Sequence, residues 1–340
     1  MTRASEFREF ADWASDQSPL YEQLSRAVAD DEDLLALAAT APESQPAPNL
    51  LLGAVHDLLL DGVDHRLAEF YPTVDDDPID PTETDPFPAF DEFCRTHRDA
   101  ISDRLESRLV QTNDVGRSAV LYPTFARVAA ADGEPLALVE LGASAGLNLV
   151  WDRYSYAFDD RVVGNSNSPV RIETDLRDGT PPLPADPPAV ADRWGVDLNP
   201  LDATDESDAR WLRALVLPNQ KRRHDRLAAA LDLAADTPPE LVTGDAAAVL
   251  PARLGDAPAD ATLVVFSTIA LYQFPDDAVA AIRETLADAS HERPVHWLSG
   301  DPSTPPSDPT YRHVRFEDGE AETTELAAFE AYGSWLSWRV

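Results

Sequence analysis

The residues best suited to chemistry lie in one short segment, Glu140–Gly146, which reads ELGASAG. Its acid, Glu140, ends an apolar run, and Gly142 and Gly146 flank the small residues that follow. Glycines allow a tight turn and a close approach of the backbone to a ligand, and the free N–H groups at a helix start attract polar or anionic groups. An apolar strand, an acid, a glycine turn and a helical pattern in this order predict a loop that holds a nucleotide-like cofactor.

The segment resembles motif I of the class I S-adenosylmethionine-dependent methyltransferases, with Ser144 in place of the usual middle glycine. In that family the loop holds the methionine end of the cofactor. An acid after the second strand binds the ribose, and an acidic turn after the third strand binds the adenine. The resemblance therefore implies S-adenosylmethionine as the cofactor. The residues that it implies for cofactor binding are Glu140, Gly142, Ser144, Gly146, Asn148, Asp175, Asp245 and Ala246.

Three acids are candidates for the ribose. Glu173 and Asp175 end the second predicted strand, although Asp175 lies further beyond Gly146 than the usual spacing of about 20 residues. Asp197 sits in a similar local sequence, but almost no strand pattern precedes it. We therefore assign the ribose to Asp175 and expect residues 197–202 to form a loop of the site.

The methyl acceptor is expected at the carboxyl ends of the strands, where open α/β sheets bind their ligands. Polar side chains interrupt apolar segments in several of these places, and such groups orient small-molecule ligands. The expected substrate-binding residues are Asn113, Arg117, Tyr122, Asn199 and Ser267. Asp197 or Tyr272 is expected to be the general base, because a carboxylate or a phenol can accept the proton that an acceptor loses.

Two other functions remain open. Residues 142–146 also match the G-x-S-x-G elbow of α/β-hydrolases, in which Ser144 would be the nucleophile and Asp245 the acid. The base would then be His291, His296 or His313. Such an elbow follows several strands, whereas no strand-like pattern precedes Leu136. A ligand-binding or scaffold protein without catalysis is the other alternative. A dinucleotide site is disfavoured because Ser144 and Leu147 replace glycines that it needs.

The elements that must position these residues differ between two parts of the chain. Residues 1–130 show apolar residues at helical spacing, and residues 131–340 alternate short apolar runs with helical patterns. Strands are predicted at Leu136–Glu140, Val170–Asp175, Glu240–Thr243, Thr262–Ser267, Val295–Ser299 and, as a terminal antiparallel pair, Tyr311–Phe316 and Trp335–Val340. Helices are predicted at Leu50–Leu60, Phe90–Val110, Gly146–Ala157, Asp208–Ala235, Ala246–Arg253 and Asp276–Ala289. The pattern predicts an α/β fold with a doubly wound, mostly parallel, Rossmann-like sheet of methyltransferase type. An N-terminal all-helical domain is expected to cover its site.

The composition is strongly acidic. The 340 residues include 62 Asp and Glu against 27 Lys and Arg, a formal net charge of -35, and Lys221 is the only lysine. At molar salt the Debye length falls to roughly 3 Å and self-repulsion is screened, so this composition is typical of a halophilic, acidic proteome. It disfavours nucleic acid and anionic membranes as partners. We expect a cytoplasmic protein whose partner is a small-molecule substrate, and the sequence leaves its oligomeric state open.

Other site classes lack their sequence signals. A single cysteine, Cys94, excludes an internal disulfide framework, and no set of His, Cys and Asp has metal-ligand spacing. The first residues lack the apolar core of a signal peptide, and no run approaches the ~20 apolar residues of a membrane span. The sequence therefore predicts neither a metal site nor a membrane segment.

Beyond the loop, the whole chain resembles a bacterial and haloarchaeal family catalogued as domain of unknown function 2332. The matching segments are Gln111–Arg117, Glu140–Asn148 with Asp152–Tyr154, Gly195–Asp202 and Leu215–Gln220. The resemblance spans most of the chain and implies that these segments meet in one place. It implies no particular activity.

Overall fold

The computed structural model describes residues 2–133, 135–301 and 308–340. Contacts between residues divide the chain into two compact units. The first contains Met1–Thr112 and Asp205–Ala228, and the second contains Asn113–Thr204 and Ala229–Val340. Among the described residues, no helix combines the length and the hydrophobicity that crossing a membrane requires.

The chain forms helices in both units. The α-helices are α1 (Arg3–Ala14), α2 (Pro19–Val28), α3 (Glu32–Ala38), α4 (Ala47–Leu60), α5 (Phe87–Thr96), α6 (Arg98–Ser107), α7 (Ser118–Asp132), α8 (Glu206–Ala214), α9 (Lys221–Asp236), α10 (Ala246–Arg253) and α11 (Asp276–Ala289). In the first unit, α4 is buried around nearly its whole circumference, from Ala47 to Leu59. A helix that is apolar on all sides belongs in a core, so the other helices of that unit pack around it.

The strands of the second unit form one sheet. They are β1 (Leu136–Leu141), β2 (Ser155–Phe158), β3 (Arg161–Gly164), β4 (Arg171–Asp178), β5 (Val190–Asp197), β6 (Glu240–Thr243), β7 (Thr262–Thr268), β8 (Val295–Asp301), β9 (Thr310–Glu317), β10 (Glu320–Phe329) and β11 (Trp335–Trp338). Their order across the sheet is β3-β2-β4-β11-β10-β9-β8-β7-β1-β5-β6. The expected mixed α/β fold with a large, mostly parallel sheet is confirmed.

The centre of the parallel region is β1, which pairs in parallel with β5 on one side and with β7 on the other. β6 extends the sheet beyond β5, and β8 extends it beyond β7, again in parallel. In chain order, the parallel strands that follow β1 are therefore added first on one side, as β5 and β6, and then on the other side, as β7 and β8. Loops that follow β1, β5 and β7 all leave the sheet at its carboxyl edge.

Three predicted helices differ from the structure. The helix predicted at Phe90–Val110 is wrong as one element, because His97 leaves the helical conformation (φ -109, ψ 24) and separates α5 from α6. The helix predicted at Asp208–Ala235 is interrupted between α8 and α9, where Pro218 lacks the N–H that an uninterrupted helix needs. The helix at Gly146–Ala157 is also wrong, since a short 3-10 segment, Leu147–Arg153, is followed directly by β2.

The predicted strands required two corrections. Asp197 is the last residue of β5, a strand of eight residues. The expectation that almost no strand leads to this acid is therefore wrong. Asp192 and Arg193 interrupt the apolar residues of β5, and only Trp194–Val196 are buried, which explains why its sequence signal is weak. At the other end of the chain, β9 pairs antiparallel with β10 rather than with the last strand, and β11 lies between β10 and β4.

Candidate functional site

The loop after β1 has an unusual backbone conformation. Gly142, Ser144 and Gly146 all have positive φ values, of 70°, 52° and 69°. Only glycine adopts this region without strain, so Ser144 is held there by its surroundings. The amides of Gly142 and Ala143 donate hydrogen bonds to the carbonyl oxygen of Val196, at 2.9 and 3.2 Å, and these bonds fasten the loop to the end of β5.

The loop after β7 is strained at the same edge of the sheet. Ile269 has a φ of 52°, which is an outlier for a β-branched residue. Its neighbour Ala270 lies against the β1 loop so closely that a Cβ added to Gly142 would come 2.8 Å from the Cβ of Ala270. Strained residues that persist in two touching loops are a feature of functional sites, where the rest of the structure stabilises them.

Asp197, the last residue of β5, connects these elements through its carboxylate. Its Oδ2 accepts a hydrogen bond from the backbone nitrogen of Ser144 at 2.9 Å, and its Oδ1 accepts one from the backbone nitrogen of Asn199 at 2.9 Å. Its own carbonyl oxygen accepts a hydrogen bond from Gly244 at 2.9 Å, in the turn after β6. The side chain is half-buried. Each carboxylate oxygen retains room for a further donor, because a carboxylate offers about four lone-pair sites.

Glu140 lies beneath the loop in a buried polar network. Asn148 is the centre of this network: its Nδ2 donates to Oε1 of Glu140 at 3.3 Å and to Oγ1 of Thr268 at 3.2 Å. Oδ1 of Asn148 accepts a hydrogen bond from Oγ of Ser118 at 3.0 Å. These contacts join the loops after β1 and β7 to the start of α7.

The second carboxyl oxygen of Glu140 is unusual. Oε2 is buried and has no hydrogen-bond partner among the described residues. Burial raises the pKa of Glu140 well above its ordinary value, while the hydrogen bond from Asn148 and the charge of Arg117 oppose this shift. Burial therefore favours the neutral form of this carboxyl, and a further cation or hydrogen-bond donor would favour the ionised form.

Two predicted substrate-binding residues brace the site through the backbone. Arg117, which is buried, donates from Nη1 to the carbonyl oxygen of Thr268 at 3.0 Å, and Asn113 accepts a hydrogen bond from the backbone nitrogen of Leu147 at 3.0 Å. Both side chains thus lie against the backbone at the ends of β7 and of the β1 loop. These contacts hold backbone groups in place and give each of the two residues a positioning role.

The structure does not bring Asp175 to this edge. Asp175 lies on β4, and the sheet order separates β4 from β1 by five strands. The acid on the strand beside β1 is Asp197. Tyr122 also lies elsewhere, since its hydroxyl donates to the carbonyl oxygen of Pro184 at 2.8 Å and its ring packs against Trp151.

The other predicted residues lie on the loops around the site. Asp245 follows β6, is exposed, and caps α10 by accepting a hydrogen bond from Ala247, while Ala246 is buried in the core. Tyr272 follows β7, and its side chain is 61% exposed. Ser267 is buried at the end of β7, and its hydroxyl has no hydrogen-bond partner among the described residues.

Three residues of this region, Ser118, Asp301 and Tyr311, were not predicted from the sequence, and Thr268 was given no role. Ser118 directly follows the segment that ends at Arg117, and Asp301 and Tyr311 lie at the adjoining ends of β8 and β9. Burial raises the pKa of both Asp301 and Tyr311, and the hydroxyl of Tyr311 has no partner among the described residues. Extending the predicted strand from Ser299 to Asp301 would have identified this acid, because it ends a parallel strand at the ligand-binding edge.

A hydrolase site is not assembled around Ser144. Within the described ranges, Oγ of Ser144 is buried and has no hydrogen-bond partner. Nδ1 of His296 lies 2.9 Å from Nε2 of His313, so these two candidate bases contact each other. A nucleophilic serine needs a base within hydrogen-bond reach, and the described structure offers Ser144 none.

Comparisons with known proteins support a family assignment. No curated protein and no solved structure shows a significant match to the chain. The match that is found covers residues 4–338, nearly the whole sequence. The chain belongs to the family described as "uncharacterized protein conserved in bacteria", DUF2332.

Proposed function

We propose that the second unit binds S-adenosylmethionine at the carboxyl edge of β1 and β5 and transfers its methyl group to a small molecule. The observation that carries the proposal is the contact between Asp197 and the β1 loop. An acid at the end of the neighbouring strand, beside a glycine-containing turn after β1, matches the way in which open α/β sheets hold the ribose of a nucleotide cofactor.

The strand order supports a nucleotide site at this edge. Numbered along the chain, the five parallel strands β1, β5, β6, β7 and β8 lie in the order 3-2-1-4-5. Doubly wound sheets of this order bind ligands where the direction of winding reverses, which here is at β1 and β7. Dinucleotide proteins share this order, but Ser144 and Leu147 occupy two positions at which their loop needs glycine.

The residues at the site fit the adenosine part of the cofactor. The ribose hydroxyls are donors, and Asp197 retains an acceptor site on each of its oxygens after binding two amides. Asp245 follows the next strand, is exposed, and offers its second oxygen to the adenine amine while the first caps α10. Asp197 therefore takes the ribose role that the sequence analysis assigned to Asp175.

Three buried polar atoms fit the remainder of the cofactor. Oε2 of Glu140, Oγ of Ser144 and Oγ of Ser267 all lie at the ends of β1 or β7 and have no hydrogen-bond partner among the described residues. Buried polar atoms are normally satisfied, so three orphans at one edge indicate a polar ligand or ordered water. An ammonium group beside Glu140 would lower the pKa of this carboxyl and ionise it.

The protein's contribution to the reaction is mainly positional. When bound, S-adenosylmethionine supplies an electrophilic methyl group on a sulfonium. Arg117 and Asn113 hold the β7 and β1 loops in place by their backbone contacts, which fixes the reacting geometry. Tyr272 is the candidate base, because its hydroxyl is exposed beside the β7 loop and accepts a hydrogen bond from Nε2 of Gln273 at 3.1 Å.

Calorimetric titration of S-adenosylhomocysteine into paired variants tests the assignment. Asp197→Ala removes the proposed ribose acceptor, and we expect its dissociation constant to rise at least about tenfold, the loss of roughly 1.4 kcal/mol. Asp175→Ala is the matched control, because it removes an acid from β4 and should leave the affinity unchanged. Weaker binding in the Asp175 variant, with normal binding in the Asp197 variant, would contradict the proposal.

A further inference from the structure

A cleft opens in the second unit, away from the loops that follow β1 and β5. Its volume is about 880 Å³, within the range of small-molecule sites. Its lining residues come from α7, from the segment before β5 and from β9, β10 and β11. The histidine behind it, His296, is the second residue of β8, so the cleft lies toward the amino end of that strand. The proposed cofactor edge is at the carboxyl ends.

The charges that line this cleft differ from those of the chain as a whole. Three arginines line it, Arg127, Arg161 and Arg315, against two acids, Asp132 and Glu322. Acids outnumber bases more than twofold in the whole sequence. In this cleft basic side chains therefore outnumber acidic ones, the reverse of the whole chain, and this excess of positive charge favours an anionic ligand.

Two of the three arginines remain available to such a ligand. Arg315 is neutralised, since its guanidinium binds Asp132 at 2.9 Å and Glu317 at 2.5 Å. Arg161 is exposed and held by a hydrogen bond to the carbonyl oxygen of Leu183. Arg127 is exposed on α7, and the part of the chain that the structure describes gives it no ion pair or hydrogen bond.

A pair of histidines fixes a proton acceptor in the cleft wall. His296 is fully buried, with Nε2 3.3 Å from Oδ2 of Asp132 and Nδ1 2.9 Å from Nε2 of His313. Nε2 of His296 makes no hydrogen bond within the described ranges, but the negative charge 3.3 Å away attracts a proton to it. We therefore assign Nδ1 of His296 as the acceptor of a proton on Nε2 of His313. This tautomer leaves Nδ1 of His313, a residue that lines the cleft, unprotonated and able to accept a hydrogen bond.

Burial keeps both rings neutral. It lowers the pKa of His296 to about 4, against the opposing charge of Asp132. It also lowers the pKa of His313 to about 4, helped by the neighbouring His296 and by the charge of Arg127. A neutral His313 accepts a hydrogen bond and cannot act as a further cation for an anion.

The remaining wall is apolar. Leu183, Val128 and Trp338 line the cleft together with Pro181 and Pro182. The cleft therefore fits a ligand that has an apolar part, an anionic group for the two arginines and a hydrogen-bond donor for the histidine nitrogen.

We propose that this cleft, which we name the His313 cleft, binds an aromatic carboxylate that also carries a hydroxyl group. Arg127 and Arg161 bind the carboxylate, the apolar wall contacts the ring, and Nδ1 of His313 accepts a hydrogen bond from the hydroxyl. The site is separate from the proposed cofactor edge and stands whether or not that edge binds S-adenosylmethionine.

The test compares two probes that differ only in the hydroxyl, 4-hydroxyphenylacetate and phenylacetate, by calorimetry on the full chain. The wild type should bind 4-hydroxyphenylacetate about three- to tenfold more tightly, the value of one hydrogen bond. In His313→Phe this preference should disappear. Arg127→Ala should weaken both probes at least about fivefold, and it should fold normally because Arg127 is exposed. Arg171→Ala removes an exposed arginine on β4 that does not line the cleft, and it should change neither affinity.

Three results would overturn the proposal. The first is a folded wild type that binds neither probe at millimolar concentration. The second is equal binding by wild type and Arg127→Ala. The third is a hydroxyl preference that persists in His313→Phe.

Discussion

The carboxylate of Asp197 and the backbone nitrogen of Ser144 lie 2.9 Å apart, although 53 residues separate them in the sequence. This hydrogen bond joins the end of β5 to Ser144, the one non-glycine residue among the three left-handed residues of the β1 loop. It has two consequences, since the same carboxylate stabilises a strained loop and remains able to accept donors from a ligand.

The first consequence concerns stability. Asp197→Ala removes the acceptor of two backbone amides, those of Ser144 and Asn199, and we expect it to lower the free energy of unfolding by about 1–3 kcal/mol. Asp197→Asn keeps one carbonyl oxygen and should lose less. Urea unfolding followed by circular dichroism measures both changes. Equal stability of all three proteins would show that the contact does not hold the loop.

Glu140 makes stability depend on pH in a defined direction. Its pKa in the folded protein is raised by burial, so the unfolded chain releases this proton at a lower pH than the folded chain does. The stabilisation of the folded state by the neutral Glu140 carboxyl is present below about pH 4.3, and it is lost as the pH rises toward the pKa of Glu140 in the folded protein. Glu140→Gln keeps a neutral group with the same shape. Its stability relative to wild type should therefore increase with rising pH.

Denaturant titrations at several pH values measure this difference. The matched control is Glu173→Gln on the exposed face of β4, which should follow the wild type at every pH. A stability difference between Glu140→Gln and wild type that is the same at all pH values would contradict a neutral, buried Glu140.

The two histidines behind the His313 cleft predict the opposite dependence. Burial lowers the pKa of both histidines to about 4 in the folded state. As the pH falls below 6.5, the two rings are therefore protonated in the unfolded state before they are protonated in the folded state. Stability is complete above pH 6.5 and should fall toward pH 4, by up to about 1.4 kcal/mol per pH unit for each ring. The double variant His296→Gln, His313→Gln should show a shallower slope in urea unfolding. The exposed His291→Gln serves as control, and a slope that is unchanged in the double variant would contradict this account.

Gly146 should tolerate substitution poorly for a steric reason. A Cβ at this position would lie 2.6 Å from Cγ of Pro239 and 3.1 Å from Cδ2 of Leu241, and its φ is 69°. Gly62 has a φ of 89° but no atom within 4 Å of an added Cβ, so it shares the backbone strain without the crowding. We expect Gly146→Ala to lose about 1–3 kcal/mol more stability than Gly62→Ala.

Thermal unfolding of the two variants gives the comparison. Equal losses would show that crowding at Gly146 is relieved without cost. A larger loss at Gly146 means that a bulky residue there would damage the fold, so substitution of Asp197 is the better probe of ligand binding.

Local sequence patterns were sufficient for much of the sheet. The apolar runs that became β1, β7 and β8 are largely buried strands, and their signal is near-continuous hydrophobicity. β6 was also predicted, although it lies at the edge of the sheet and is only partly buried. The bounds of α10 and α11 were also predicted correctly, because each begins after an acidic or proline-containing turn and carries a clear apolar face. Asn113 and Arg117 were predicted as site residues because polar types interrupt apolar segments there, whereas Glu140 and Asn148 were implied by the resemblance to motif I.

The errors arose where long-range pairing decides the structure. The first half of β5 is not fully buried and contains Asp192 and Arg193, so its strand character comes from pairing with β1 rather than from its own sequence. Missing this strand moved the ribose assignment to Asp175, which lies on β4. Ser118 and Thr268 contact Asn148 across long stretches of sequence, and no local pattern predicts such contacts.

The most direct test of the central claim is a titration of S-adenosylmethionine into the folded, full-length wild type. Concentrated KCl should screen the acidic surface during the measurement. We predict saturable binding in the micromolar range, displaced by S-adenosylhomocysteine and accompanied by proton release that Glu140→Gln abolishes. A protein that circular dichroism shows to be folded, and that gives no saturable signal up to millimolar S-adenosylmethionine, would contradict the account.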